Sequence, residues 1–236
     1  MSERRRWLLA LDTATNTVVV VAGDPDGRVL GHEAFEGRYR HSQELLPAVA
    51  RLVERLDLRL GDLAGIVTGT GPGAFTGLRV GLATAKTLAH ELAVPVAGIP
   101  TSDALLADEP PGSVLWLPSG PRDRVAIRAG VPPAIVREDE APPWTDDAGR
   151  AGGGVATGLA TDLAIDLDGR AAPDALERGR RAIERLPESM MRLGAARLAA
   201  GDTDDPERLV PRYASPPRGV PVEQTDGGVA WSRDPR

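Results

Sequence analysis

Cysteine is absent from this chain. Its absence excludes disulfides, thiolate metal sites and cysteine nucleophiles together. It suits a reducing cytoplasm, the expected location, although many exported proteins also lack disulfides. Histidine is nearly absent too: His32, His41 and His90 are scattered, and none forms a His-x-x-x-His or His-Glu-x-x-His pair. No metal site is therefore expected. Aromatics are sparse, at 3%. Long apolar runs are missing as well. None approaches the ~20 residues that span a bilayer, and Trp7–Leu11 is too short for a signal-peptide core. No membrane association is expected. Basic residues number 28 against 34 acidic, a net charge of −6. Such a chain is a poor stand-alone binder of nucleic acid, because affinity for phosphate backbones comes from Lys and Arg. Lys86 is its only lysine.

What the chain does have is glycine, concentrated in Gly69-Thr70-Gly71-Pro72-Gly73-Ala74-Phe75-Thr76-Gly77-Leu78-Arg79-Val80-Gly81. The apolar run Ala64–Val67 precedes this stretch, and a helical pattern from about Thr76 to Leu92 overlaps and follows it. A strand therefore enters a glycine-rich turn that delivers the chain to a helix N-terminus. Such a turn can cradle phosphate with backbone N–H groups, or it can let strand and helix pack closely. No Gly-Lys-Ser/Thr follows, so it is not a Walker loop. Gly71, Pro72, Gly73, Phe75, Thr76 and Gly77 read as a turn of fixed shape.

Before it, Trp7–Asp12 and Thr17–Ala22 read as strands, the second rich in β-branched residues. Gly23–Gly27 turns into a third strand over Arg28–Phe35. Leu45, Leu46, Val49, Leu52, Val53 and Leu56 recur at helical spacing. His41-Ser42 offers an N-cap, with the regular helix beginning a few residues later because of Pro47. His41 either caps this helix or packs beside it. A strand Val94–Ile99 follows the glycine-turn helix. The order β-β-β-α-β-α and then β is that of an actin-like, Hsp70-ATPase-like (ASKHA) α/β half-domain, by analogy of fold.

The second half suggests a degenerate second βββαβα-type lobe. Strands are expected at Ser113–Leu117 and Arg124–Ala129, a loop over Ala141–Gly154, and helices at Ala175–Leu186 and Glu188–Ala200. Gly201 stands in a C-cap position. The expected division is an N-terminal lobe at 1–106, a degenerate lobe at 107–214 with a closing helix at 188–200, and a disordered tail at 215–236. The pairs Asp146-Asp147 and Asp204-Asp205 are expected in solvated loops.

Asp12-Thr13-Ala14-Thr15-Asn16 follows the first strand, where this fold places its first phosphate loop. Asp12, Thr13 and Thr15 are therefore candidate nucleotide ligands. The alternative is a polar hairpin whose side chains bond local backbone. The glycine-turn helix is apolar nearly all round, and Gly81, Ala83 and Ala85 would let another helix approach. It is either an interface or an ordinary buried helix.

Leu9-Ala10-Leu11-Asp12-Thr13-Ala14-Thr15, His41-Ser42-Gln43-Glu44-Leu45-Leu46-Pro47, the run Gly71–Gly81 and Ala85-Lys86-Thr87-Leu88-Ala89 together resemble the TsaB (YeaZ) family, over roughly the first 105 residues. Leu209-Val210-Pro211-Arg212-Tyr213 is similar to the family's Pro-x-Tyr element, although Ala214-Ser215 replaces its usual Leu-Arg. Pro118–Arg124 stands where the family usually carries Asp-Ala-Arg. The resemblance implies a non-catalytic scaffold subunit in the synthesis of threonylcarbamoyladenosine on tRNA. Such a subunit binds and activates TsaD, is joined by TsaE, and meets tRNA only through the complex. Without TsaD the apolar surface of the helix pair is expected to associate with itself as a symmetric homodimer. ATP at the partner interface is the cofactor the resemblance leaves open, with none held by this subunit itself.

The implied docking helices are Ser42–Leu56 and Arg79–Leu92, with Ser42, Leu45, Leu46, Val49, Val53, Arg79, Leu82, Ala83 and Lys86 facing the partner. TsaD carries Asn-His-x-x-x-His after the corresponding strand. Here Thr101 and Leu105 occupy those places, and neither supplies an imidazole. An active ATPase or small-molecule kinase of the same fold is the alternative. A glycoprotease is a third reading, for which no nucleophile–base arrangement is visible.

Overall fold

The computed structural model describes residues 5–37, 40–119, 122–137, 162–165 and 171–213, with the backbone of 224–225 and 228–229. In chain order the elements are β1 (Trp7–Asp12), β2 (Thr17–Gly23), β3 (Val29–Glu36), α1 (His41–Arg55), β4 (Leu63–Gly71), α2 (Phe75–Leu92), β5 (Val96–Pro100) and α3 (Thr101–Leu106). There follow β6 (Val114–Ser119), β7 (Asp123–Arg128), β8 (Ala134–Arg137), β9 (Asp162–Ala164), α4 (Pro173–Glu184) and α5 (Leu186–Ala199). The chain divides into two units, Met1–Ala104 with Arg185–Pro211, and Leu105–Glu184 with Arg212–Arg236.

The first unit is built on a five-stranded sheet of order β3-β2-β1-β4-β5. Its first three strands pair antiparallel, while β4 joins β1 and β5 joins β4 in parallel. β1 is buried along its whole length, as a strand covered on both faces must be. One face meets α1 and α2: Trp7, Leu9, Leu11, Val18 and Val20 pack with Leu45, Leu52, Leu82 and Ala85. The other face meets α5, where the missing side chain of Gly194 makes room for Val67 and Gly23 makes room for Met191.

The closing helix therefore belongs with the N-terminal sheet, not with the second lobe as the sequence suggested. The reason is burial: Leu8, Ala10, Val19, Val21 and Val67 form a second apolar face that needs a cover. α5 supplies it with Met190, Met191 and Ala195, all buried. It ends as expected, with Gly201 at a φ of +70° just beyond the last turn.

The second unit repeats the strand order in miniature. β8-β7-β6-β9 has antiparallel pairs at β6–β7 and β7–β8 and a parallel pair at β6–β9. That is the arrangement β3-β2-β1-β4 of the first unit, the expected degenerate copy. The missing Cβ of Gly179 lets α4 approach the Ala164 carbonyl of β9. Strands β8 and β9 and the short helix α3 are additions to the sequence reading.

Three further expectations need revision. α1 begins at His41, carries Pro47 inside it and has Arg40 at its N-cap with no side-chain cap. The ring of His41 is turned inward, so it packs and does not cap. Asp204 is not simply solvated: it accepts the Gly98 N–H at 2.7 Å and an Arg197 Nη1 bond at 3.0 Å. Within the expected tail, Gln224–Thr225 pairs antiparallel with Gly228–Val229. The rest of that tail, the loop 141–154 and Asp146-Asp147 lie outside the described residues.

Candidate functional site: the glycine turn and the helix pair

The glycine turn leaves β4 at Gly71, whose φ of +95° is open to glycine and strained for other residues. From there the glycines recur every fourth residue, at 69, 73, 77 and 81. All four meet the turn between β1 and β2. A Cβ at Gly69 would strike the Asp12 carboxylate, at Gly73 the Ala14 carbonyl, at Gly77 the Thr13 carbonyl, and at Gly81 the Thr13 hydroxyl. The stripe exists so that strand end and helix can lie against that turn.

Hydrogen bonds fasten the approach. Ala74 N–H donates to the Ala14 carbonyl at 2.7 Å, and Thr13 Oγ1 donates to the Gly77 carbonyl at 2.8 Å. Behind them lies a buried relay. Gly71 N–H donates to Thr101 Oγ1 at 3.1 Å, and Thr101 Oγ1 donates to Asp12 Oδ2 at 2.6 Å. The second oxygen, Oδ1, accepts the Ala14 N–H at 2.9 Å. Burial pushes the Asp12 carboxyl up to about 6, partly offset by the Thr101 and Ala14 bonds that favour the charged form.

This geometry bears on the candidate nucleotide ligands. Asp12, Thr13 and Thr15 are each 2% exposed or less. Thr15 Oγ1 donates to the Thr17 carbonyl at 2.8 Å and accepts its N–H at 3.2 Å, a local hairpin bond. The start of α2 lies directly against this turn, with Gly73 and Gly77 on Ala14 and Thr13. Among the described residues no group of three His, Asp or Glu side chains is placed to hold a metal ion. Thr101 and Leu105 are both buried.

The expected docking residues separate into two sets. Ser42, Leu46, Arg79 and Ala83 lie in solvent, and Val53 and Lys86 are half-buried. Leu45, Val49 and Leu82 are not at the surface; they are part of the core beneath the helices. The correction follows from helical spacing, since 45, 49 and 52 share the face turned to the sheet, as do 78, 82, 85 and 89. For the same reason Gly81 and Ala85 face inward and only Ala83 is available for close approach from outside. Lys86 Nζ donates to the Leu209 carbonyl at 3.3 Å. Leu46 at 53% and Phe75 at 40% are among the exposed large apolar side chains. The Arg79 guanidinium lies over the Phe75 ring, 3.9 Å from its centroid, a cation–π contact.

Two features were missed in the sequence. Thr101, at the start of α3, ties β4 to β1 through its hydroxyl, which accepts from Gly71 N–H and donates to Asp12 Oδ2. A cleft of about 450 Å³ also opens beside the glycine turn, lined by Asn16, His41, Ser42, Ala74, Phe75, Thr76, Gly77 and Val80. The inward-turned His41 was the available signal for it.

Residues 35–129 match the family model "TsaD: tRNA N6-adenosine threonylcarbamoyltransferase". An uncharacterized protein of Mycobacterium tuberculosis H37Rv is 38% identical over 99 residues, covering 42% of this chain and 47% of the relative. The tRNA threonylcarbamoyladenosine biosynthesis protein TsaB of Bacillus subtilis is 33% identical over 101 residues, 43% of this chain and 44% of that protein. TsaB of Escherichia coli is 36% identical over 94 residues, 40% of each. The matched stretch thus spans less than half the length of these relatives. YeaZ from Pseudomonas aeruginosa superposes with a TM-score of 0.61 at 21% identity, over 87% of this chain and 98% of that one. The likeness to TsaB and YeaZ read from the sequence is borne out, as is the two-lobed actin-like α/β fold.

Proposed function

We propose that this chain works in the cytoplasm in the synthesis of threonylcarbamoyladenosine on tRNA, as a TsaB-like subunit without catalytic residues of its own. It docks a TsaD-type partner through the outer face of α1 and α2, with a TsaE-type ATPase joining the pair. It reaches tRNA only through that complex, and it pairs with itself when the partner is missing. The observation that carries the reading is the 33% and 36% identity to two TsaB proteins. The surface supports the docking part. Leu46, Phe75 and Ala83 are apolar groups in solvent on adjoining helices, rimmed by Arg79 and Ser42. The non-catalytic part is supported by Asp12, whose oxygens are engaged by Ala14 N–H and Thr101 Oγ1, by Thr13, whose hydroxyl holds Gly77 of α2, and by Thr101 and Leu105 at the places of the sibling's histidines.

Leu46→Glu tests the docking face, because Leu46 is exposed and its replacement leaves the core intact. Coexpressed with a TsaD-type protein of the same cell, the wild-type chain is expected to co-elute. The variant is expected to bind at least about tenfold more weakly, the loss from one buried leucine at an interface. Failure of the wild-type chain to co-elute, or to restore threonylcarbamoyladenosine in cells lacking their TsaB, overturns the reading.

A further inference from the structure

The sheet of the first unit has two edges, β5 and β3, and the chain treats them differently. Along β5 the outward backbone groups are taken up from within the chain. The Val96 carbonyl accepts the Asp204 N–H at 2.8 Å, and the Gly98 N–H donates to Asp204 Oδ2 at 2.7 Å. The Gly98 carbonyl accepts Arg197 Nη1 at 2.6 Å. An Asp204–Arg197 ion pair thus stands where a further strand would lie. Closure of this kind blunts an edge that would otherwise pair with another chain.

The edge at β3 is left open: among the described strands only β2 pairs with it. Gly37 N–H donates to the Asn16 carbonyl at 2.7 Å, and antiparallel bonds recur at every second residue. In the register Val18–Phe35 and Val20–Glu33, Glu33 and Phe35 therefore carry the bonds to β2. The N–H and C=O groups of His32, Ala34 and Glu36 point away from the sheet. Arg55 Nη2 agrees with that direction, donating to the His32 carbonyl at 2.8 Å and leaving it a second lone pair. The strand holds no proline or lysine, common guards of an edge. The side chains of His32, Ala34 and Glu36 are all exposed.

This edge is complementary to itself. A symmetric antiparallel pair centred on Ala34 puts His32 opposite Glu36 of the second copy, and Glu36 opposite its His32. An imidazole N–H then faces a carboxylate on each side of the axis. Other centres fail. Glu33 and Phe35 turn their backbone groups to β2, and a centre on Glu36 opposes two carboxylates. A centre on His32 draws on Leu30, beside the register shift at Ala22/Gly23. On the other face Glu33, paired with Arg51 and Arg55, lies opposite Phe35, so no like charges meet. We propose that β3 is a self-association edge, where two copies join antiparallel about Ala34 and fuse their sheets across a two-fold axis. The contact is separate from the outer face of α1 and α2 and needs no other partner. Its small extent makes it weak and concentration-dependent.

The test is amide exchange of the full chain, read by NMR at about 0.1 mM and about 1 mM, where weak contacts form. Exchange at His32 and Ala34 should slow at least about twofold at the higher concentration. Gly98, bonded within the chain, should not change. Sedimentation then separates this contact from self-pairing through the helices. Leu46→Glu alone should still rise from the monomer mass towards twice that value. Adding Ala34→Pro removes an outward N–H and no bond to β2, and adding His32→Glu opposes carboxylates at each pair. Either folded double variant should stay monomeric. Exchange at His32 and Ala34 that ignores concentration overturns the proposal. So does association that folded His32→Glu leaves unchanged.

Discussion

Replacing Asp12 with Asn probes whether the carboxylate beneath the glycine turn is as secluded as the geometry indicates. The wild-type carboxyl is raised from 3.8 to about 6 in the folded chain, chiefly by burial. An acid with a raised folded pKa is protonated more fully in the native than in the unfolded state between those values. Native protein therefore holds the extra proton, and stability falls as pH rises through that window. The full difference is about 3 kcal/mol, at roughly 1.4 kcal/mol per pH unit. Of this, about 2 kcal/mol is lost between about pH 4 and pH 7, since the unfolded carboxyl is already partly ionised at the lower limit.

Asn keeps an oxygen for the Ala14 N–H but presents an amide to Thr101, whose hydroxyl proton then has no acceptor. Asp12→Asn therefore starts with a fixed loss of about 1 to 3 kcal/mol, the cost of a broken buried bond. That loss does not depend on pH. Urea unfolding of wild type and variant across the window isolates the Asp12 contribution, because the other carboxylates titrate alike in both proteins and cancel in the difference. The variant should gain on the wild type by about 2 kcal/mol as pH rises. A difference in stability that stays flat from about pH 4 to pH 7 refutes the reasoning, because it means that water reaches Asp12.

Gly77→Ala drives a methyl into the Thr13 carbonyl and should lower stability by about 1 to 3 kcal/mol in urea or thermal unfolding; a neutral result means that α2 can shift outward freely. Leu82→Glu buries a charge in the core and should unfold the chain or cost more than about 3 kcal/mol. Leu46→Glu, one helix away and exposed, should stay within about 0.5 kcal/mol of wild type by the same measurement. Arg197→Ala removes bonds to the Gly98 carbonyl at 2.6 Å and to Asp204 at 3.0 Å. Amide exchange at Gly98 should accelerate at least about tenfold, because the Asp204 carboxylate loses the guanidinium that orients it onto the Gly98 N–H, although its backbone stays bonded to Val96.

Periodicity in the sequence carries the first unit well. β1, β2, α1 and α2 are visible in runs of apolar residues at spacings of one face or both. The faces of the helices are harder to read. Leu45, Val49 and Leu82 suit an interface as well as they suit a core, and only the packing under the helices decides between the two. α5 is similarly ambiguous: nothing local says that residues 186–199 cover a sheet whose strands lie far earlier in the chain. Thr101 and Asp12 are separated by 89 residues, beyond the reach of any local pattern. The glycine stripe was closer to legible. A four-residue repeat entering a helix marks one face as needing close approach, even before the Asp12–Ala14 turn is known to be what it approaches.

The same close approach also determines how firmly α2 is held and which face it turns outward. Each glycine in the stripe leaves less than a methyl of clearance, so any outward movement of α2 would open a gap along Asp12–Ala14 and strand the Thr13 and Ala74 hydrogen bonds. Leu78, Leu82, Ala85 and Ala89 hold the helix from the same side by burial. Phe75, Arg79 and Ala83 are therefore presented on a rigid rod, with Arg79 already seated on the Phe75 ring. A face ordered before contact loses little conformational entropy on binding, which favours association without new bonds. In this chain the glycines let strand end and helix close on the Asp12–Ala14 turn, and Thr101 adds to that rigidity by bonding Gly71 N–H and the Asp12 carboxylate.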